Sequence, residues 1–286
     1  MVLSESPQLD KLAGDPGDES MHFLKMQGAG NDFVLVDGRS RLEAEWPLLA
    51  RTMCDRHFGI GADGLLLVLP SEGADARMLM WNPDGSESEM CGNGIRCFAG
   101  YVLDGADQMS VETGAGILTV RRHSLGFQAS MGRPRLAPAD IPVLAESAPV
   151  LNLPLPGLDV LVTCVGMGNP HAVQFVQDLQ NVDLATLGPK VEQYRLFPHR
   201  VNFHVCQVIS RTELVMRSWE RGAGLTLACG TGAAATAVAA RLHGYTDDVI
   251  TVRVPGGQLE LTWDGHGEVL MAGPAELVFE GEWPGG

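Results

Sequence analysis

The sequence predicts an α/β (α+β) protein built as two similar domains related by a pseudo-two-fold axis. Three observations lead there. The chain has 286 residues, room for two domains of ordinary size. Rare residues recur along it at one fixed spacing. Around each recurrence runs the same succession of buried strands, a glycine-rich turn, a helix and β-hairpins.

The spacing is 138 residues. It lays Gly30-Asn31 on Gly168-Asn169, Met78 on Met216, Trp81 on Trp219, Cys91-Gly92 on Cys229-Gly230, Gly94 on Gly232 and Ala99 on Ala237. With only 5 Trp and 6 Cys in the chain, coincidence is a poor account of these matches. Further on, the spacing drifts to 141 and 140, where Val111–Leu118 echoes Val252–Leu259 and Met131 echoes Met271. Phe33 to Asp37 and Leu65 to Leu69 read as buried strands. Gly92 to Leu103, before Asp104-Gly105, and Gly230 to Leu242, before His243-Gly244, read as helices stopped by glycine. Between the halves lie six prolines, at 134, 138, 142, 149, 154 and 156, which break helix and suit linker or edge strand, so the junction falls there.

Composition narrows the function classes. With 45% hydrophobic and 19% charged residues the chain is expected to fold. A formal charge of −15 repels a phosphate backbone, so no nucleic-acid partner is expected. No apolar run approaches the roughly 20 residues that span a bilayer, so no membrane partner is expected either. The first 20 residues carry five acids against Lys11, unlike a secretory or transit segment, and predict a disordered leader on a cytoplasmic protein. The six cysteines form no CxxC and no zinc-finger spacing, so neither a metal nor a disulfide framework is expected.

Two of those cysteines open helices. Cys91-Gly-Asn-Gly94 and Cys229-Gly-Thr-Gly232 each set a thiol before a run of free backbone N–H groups, where the helix dipole favours an anion. A free thiol titrates near ~8.5 and such a site lowers it, so thiolates near neutral pH are expected. Two thiols related by the pseudo-dyad suit removal of a proton from one face of a carbon and delivery to the other. The N–H groups of both turns would stabilise the carbanion on its carboxylate. A pyridoxal Schiff base would need a lysine, and only Lys11, Lys25 and Lys190 exist. No cofactor is expected.

The run Asn82-Pro-Asp-Gly-Ser-Glu-Ser-Glu-Met-Cys91-Gly-Asn-Gly-Ile-Arg96 resembles the signature of the diaminopimelate epimerases. The resemblance extends to Met26–Phe33, Asp55–Asp63, Gly168–His171, Arg200–Asn202, Glu220–Gly224 and Ala228–Gly232, nearly the whole chain after Met21. It implies a cofactor-independent isomerase that interconverts LL- and meso-2,6-diaminopimelate in lysine and cell-wall precursor synthesis. It also implies two domains, each a mostly antiparallel, barrel-like sheet around a central helix, with the C-terminal tail packed on the first. The division expected is a leader over 1–20, a first domain of 21–136 plus 275–286, and a second of 137–274. A homodimer is compatible with the family.

Carried over by motif, Cys91 and Cys229 are the acid/base pair. Gly92, Asn93, Gly230 and Thr231 resemble the carboxylate cradle. Asn31, Asn82, Asn169 and Asn202 correspond to substrate-binding asparagines, and Glu220 and Arg221 to the family's Glu-Arg pair. Arg221 can hold a distal carboxylate in its fork. His171 and Glu220 fall where the family modulates its thiols. Three positions depart from the pattern: Gly64 stands where many members have Gln, and Leu225 and Leu227 replace polar residues. Rival readings are a proline racemase or hydroxyproline epimerase, which would leave Glu220 and Arg221 without a substrate partner, a thiol redox protein that joins Cys91 to Cys229, and a non-catalytic amino-acid-binding module.

Overall fold

The computed structural model describes residues 20–40 and 44–284. The leader assigned to 1–20 lies outside these residues, except for Ser20, whose hydroxyl donates to Glu282. The first half runs β1 (Met21–Gly28), β2 (Asn31–Asp37), α1 (Trp46–Cys54), β3 (Gly64–Leu69), β4 (Ala76–Trp81), β5 (Glu87–Ser88), α2 (Gly92–Val102), β6 (Gln108–Thr113), β7 (Gly116–His123) and β8 (Gly126–Ser130). The second runs β9 (Val150–Leu155), β10 (Val160–Gly166), β11 (Pro170–Phe175), α3 (Leu184–Glu192), β12 (Asn202–Ser210), β13 (Glu213–Glu220), β14 (Gly224–Thr226), α4 (Gly230–Leu242), β15 (Val249–Val254), β16 (Gly257–Thr262) and β17 (Leu270–Gly273). A last strand, β18 (Glu276–Trp283), returns to the first half and pairs antiparallel with β1.

Pairing order makes the repeat visible. The first half of the sheet reads β18-β1-β2-β3-β4-β6-β7-β8 and the second β9-β10-β11-β12-β13-β15-β16-β17, each antiparallel except at two steps. The parallel steps are β2–β3 and β4–β6, matched by β11–β12 and β13–β15. Even register is kept: Phe33 lies opposite Gly64, and His171, 138 residues on, lies opposite Asn202. The halves join where β8 pairs with β17, with Ser130 opposite Leu270. Those two residues are 140 apart, the same spacing as Met131 and Met271, so the pseudo-dyad passes through this pair.

Each half-sheet curls around one helix. Ile95, Cys97, Phe98 and Ala99 of α2 pack against Phe33, Leu35, Leu66, Met78, Val111 and Val120. The second helix is nearly pure small residue, and Ala233–Ala235 and Ala237–Ala240 with Val238 fill the corresponding core with Val165, Val173, Leu214 and Leu259. Alanine suits a helix enclosed on all sides, because its small side chain lets strands approach closely and it has the highest helix propensity. Truncating Phe98, which has no exposed surface, would cost about 3–5 kcal/mol. On the outer face of each sheet lies a helix that the sequence reading lacks. These are α1 and α3, 138 residues apart to the residue. Each is nine residues long and carries a proline, Pro47 or Pro189, so neither shows the long uninterrupted periodicity that marks a helix.

Candidate active site

Cys91 is the N-cap of α2 and Cys229 the N-cap of α4, both in extended backbone. Those two helix ends meet at the junction: a methyl group on Gly230 would lie 3.7 Å from Asn93 Oδ1, and methyls on Gly92 and Gly230 would both contact Met271. Only glycine lets the turns approach this closely. In the first turn of α2, Gly94 N–H donates to Cys91 Sγ at 3.4 Å. Asn31 Oδ1 lies 3.7 Å from the same sulfur and accepts from Asn93 Nδ2 at 3.1 Å. In α4, Cys229 Sγ lies 3.7 Å from Thr231 Oγ1.

The thiolates expected from the helix ends are corrected by the structure. Burial pushes both thiols up. For Cys91 the N–H groups of Gly94 and Asn93 offset this only in part. For Cys229 the negative charge of Glu220 adds to burial. The N–H groups at the helix starts act in the expected direction, but loss of water around the sulfur outweighs them. Glu220 is itself raised by burial, against the opposing effect of hydrogen bonds from Thr226 and Cys229. Its charge is felt at Cys91 as well, as the smallest of the influences on that thiol. The other four cysteines, at 54, 97, 164 and 206, are buried and likewise pushed up, as expected for small core hydrophobes.

Among the remaining residues singled out from the sequence, contacts differ. Asn31 also donates to Asp63 at 2.5 Å, and Asp63 is ion-paired to Arg56 at 2.7 Å. Asn82 sits in a tight turn and donates to Ser86 Oγ at 3.0 Å. Asn202 is buried, donating to the Pro170 carbonyl at 3.0 Å and accepting from the Arg221 N–H at 2.9 Å, so it fixes two chain segments. Arg221 is exposed and anchors one Nη on the His199 carbonyl at 2.9 Å. His171 is fully buried, with its ring nitrogens 2.6 Å from Asn169 Oδ1 and 2.9 Å from His204 Nε2, so both nitrogens are occupied. At Gly64 a methyl would lie 2.9 Å from Met80 Cε and 3.0 Å from the Trp81 carbonyl oxygen. Leu225 and Leu227 are half exposed, and Leu227 packs on Gly30 of the first half.

Sequence reasoning missed Arg96. Its guanidinium has no exposed surface and donates to the Gly92 carbonyl at 3.0 Å, Asn93 Oδ1 at 2.7 Å and the Pro274 carbonyl at 3.3 Å. Burial lowers it to about 10. It orients Asn93, and through Asn93 it orients Asn31 beside the thiol. Arg96, as the one charged residue of α2, was the available signal.

The model of the family described as diaminopimelate epimerase matches residues 23–137 and 163–278. The chain belongs to the diaminopimelate epimerase family. It is 50% identical over 279 residues to the diaminopimelate epimerase of Moorella thermoacetica, covering 92% of this chain and 99% of that one. To the diaminopimelate epimerase of Desulfitobacterium hafniense it is 48% identical, covering 91% and 97%. Among solved structures, a phenazine biosynthesis protein of the PhzF family from Bacillus anthracis superposes with a TM-score of 0.67 at 19% identity, over 92% of this chain and 99% of that one. A hydroxyproline epimerase from Agrobacterium vitis gives 0.63 at 14% identity, over 93% and 91%. This chain shares its overall fold with these two structures.

Proposed function

We propose that the protein interconverts LL- and meso-2,6-diaminopimelate by two-base proton transfer between Cys91 and Cys229, without a cofactor. The observation that carries this reading is the pairing of two cysteine N-caps at abutting helix ends. Burial disfavours the charged form of both thiols, so the base must give up its proton to start the reaction, and Glu220 accepts the hydrogen bond of Cys229. The thiolate then takes the α-proton while the opposite thiol delivers its own to the other face. Each turnover leaves the proton on the other sulfur, so the pair serves both directions. Carboxylate charge growing in the carbanion meets the N–H groups of Gly92, Asn93, Gly230 and Thr231. Arg221, Asn82, Asn169 and Asn202 surround the distal amino-acid head, and His171 acts on the site through Asn169.

Two lysines lie among the described residues. Lys25 Nζ is ion-paired to Asp32 at 2.7 Å and donates to the Gly61 carbonyl, and Lys190 belongs to the outer helix α3. To the same reading belong the domain limits 21–136 with 275–286 and 137–274, cytoplasmic residence and a homodimer. Among the described residues no helix is long and apolar enough to cross a membrane.

The test is proton NMR in D2O of reduced protein with LL-diaminopimelate and no added pyridoxal phosphate or metal. Loss of the α-hydrogen signal with formation of the meso isomer is the expected result, and Cys91→Ala and Cys229→Ala should each abolish it. Full activity in either single variant would refute the two-base mechanism, and no exchange by folded, reduced protein would remove the substrate assignment.

A further inference from the structure

A buried polar chain runs beneath the second cysteine. Ser218 Oγ lies 2.9 Å from His204 Nδ1, His204 Nε2 lies 2.9 Å from His171 Nδ1, and His171 Nε2 lies 2.6 Å from Asn169 Oδ1. His171 and His204 have no exposed surface and Ser218 is 3% exposed. The His204 ring is seated under the first turn of α4, where a methyl on Gly232 would fall 2.3 Å from its Cε1.

The internal repeat supplies a control. At a spacing of 138 residues, His171, His204 and Ser218 correspond to Phe33, Leu66 and Met80, which pack together in the apolar core of the first half. The same backbone therefore accepts three hydrophobic side chains here. Burying two imidazoles and a hydroxyl instead costs desolvation that hydrogen bonds at best recover. Packing does not call for them, and the chain they form ends on Asn169. That residue occupies in the second half the place from which Asn31 contacts Cys91 in the first.

The chain has one direction. Asn169 Oδ1 can only accept, so His171 Nε2 carries a hydrogen. A neutral His171 then accepts at Nδ1, His204 must donate from Nε2, and a neutral His204 accepts at Nδ1 from the Ser218 hydroxyl. Burial, with His204 and Arg221 nearby, keeps His171 well below the usual histidine range, and burial brings His204 to about 3, so both rings are neutral. With its oxygen held by His171, the Asn169 carboxamide turns its NH2 away from the relay.

We propose that His204, with Ser218 behind it, is a positioning residue. It locks His171 as the Nε2–H tautomer and so presents the Asn169 NH2, rather than its oxygen, to a carboxylate oxygen of the substrate. This rests on the epimerase reading above, and it explains why only one half carries the relay. Loss of His204 removes the donor that fixes this tautomer, so the Asn169 carboxamide is free to reverse and turn an acceptor toward the carboxylate.

The experiment pairs two variants with one spectrum. Nitrogen-15 NMR of the resting protein should show His171 and His204 both neutral and both as Nε2–H. His204→Leu, which copies Leu66 of the first half, should raise KM by about 10- to 100-fold, as for a lost hydrogen bond to a charged group. His204→Gln, whose amide donates to His171 and accepts from Ser218, should stay within a few-fold of the parent. His171 as Nδ1–H in the parent, an unchanged KM in folded His204→Leu, or a His204→Gln variant that binds no better than a folded His204→Leu would each overturn the proposal. Should His204→Leu fail to fold, the parent spectrum and a parent-like KM in His204→Gln decide it. If the parent exchanges no α-hydrogen the substrate reading fails, while the tautomer spectrum still reports on the relay.

Discussion

Gly94 and Gly232 are repeat mates three residues after each cysteine, yet alanine at the two positions should behave differently. At Gly232 the new methyl would fall 2.3, 2.7 and 2.9 Å from atoms of the His204 ring. That ring is fully buried and hydrogen-bonded on both nitrogens, so it cannot swing aside. Ordinary contact needs about 3.4 Å, so either the ring or the first turn of α4 must move by about 1 Å. Overpacking of this kind costs about 1–3 kcal/mol, against at most about 1 kcal/mol gained from alanine's helix propensity. At Gly94 the nearest atoms are Leu66 Cδ2 at 3.2 Å and Cys91 Cβ at 3.3 Å, and a few tenths of an ångström suffice. Gly94→Ala should therefore be close to neutral in stability. Activity should separate the two more sharply, because a 1 Å displacement of a reacting group costs on the order of 10²-fold. Urea unfolding followed by circular dichroism, with α-hydrogen exchange in D2O, measures both. Equal damage at the two glycines, or a fully active and stable Gly232→Ala, would show that His204 is not the rigid neighbour described.

Other outcomes follow from the same contacts. Glu220→Gln should lower turnover by about 10²- to 10⁴-fold with little change in stability, because it removes the acceptor for the Cys229 proton; steady-state exchange kinetics will read this. Arg96→Lys can meet only some of the three acceptors now held, so each one left bare should cost about 1–3 kcal/mol in urea unfolding, and activity should fall as Asn93 and Asn31 lose their orientation. Burial raises Asp32, but hydrogen bonds from Arg56 and Lys25 outweigh it and hold the carboxylate near about 2, below its ordinary 3.8. Its contribution is thus present above about pH 4 and lost as pH falls toward 2, and Asp32→Asn should flatten that limb in thermal melts taken across the range.

Legibility in the sequence followed chemical distinctiveness. The repeat, the two long central helices and both cysteine caps could be read because tryptophan, cysteine and glycine are rare or conformationally special, so their spacing carries information. Helices α1 and α3 could not, since nine residues with a proline offer little periodicity. Burial, which opposes the thiolates expected at the two caps, could not be read, because a helix end is visible in sequence and loss of water around a sulfur is not. Arg96 and His204 went unassigned for a related reason: each interrupts an apolar run, and only folding reveals what it touches. Asn202 was singled out by motif as a substrate-binding residue, and in the fold its carboxamide ties Pro170 to Arg221.

The return of β18 to β1 sets an order of assembly on the ribosome. Strands β9 to β17 follow one another without interruption between residues 150 and 273, so the second half is complete in the nascent chain once that stretch has emerged. The half synthesised first must wait, with one edge of β1 unpaired, until residues 276–283 arrive to lay Phe279 against Phe23. An unpaired strand edge is where chains stick to one another. The earliest-made half is therefore the last to close, and a ribosome stalled before residue 276 would release a chain with its second half built and its first half open.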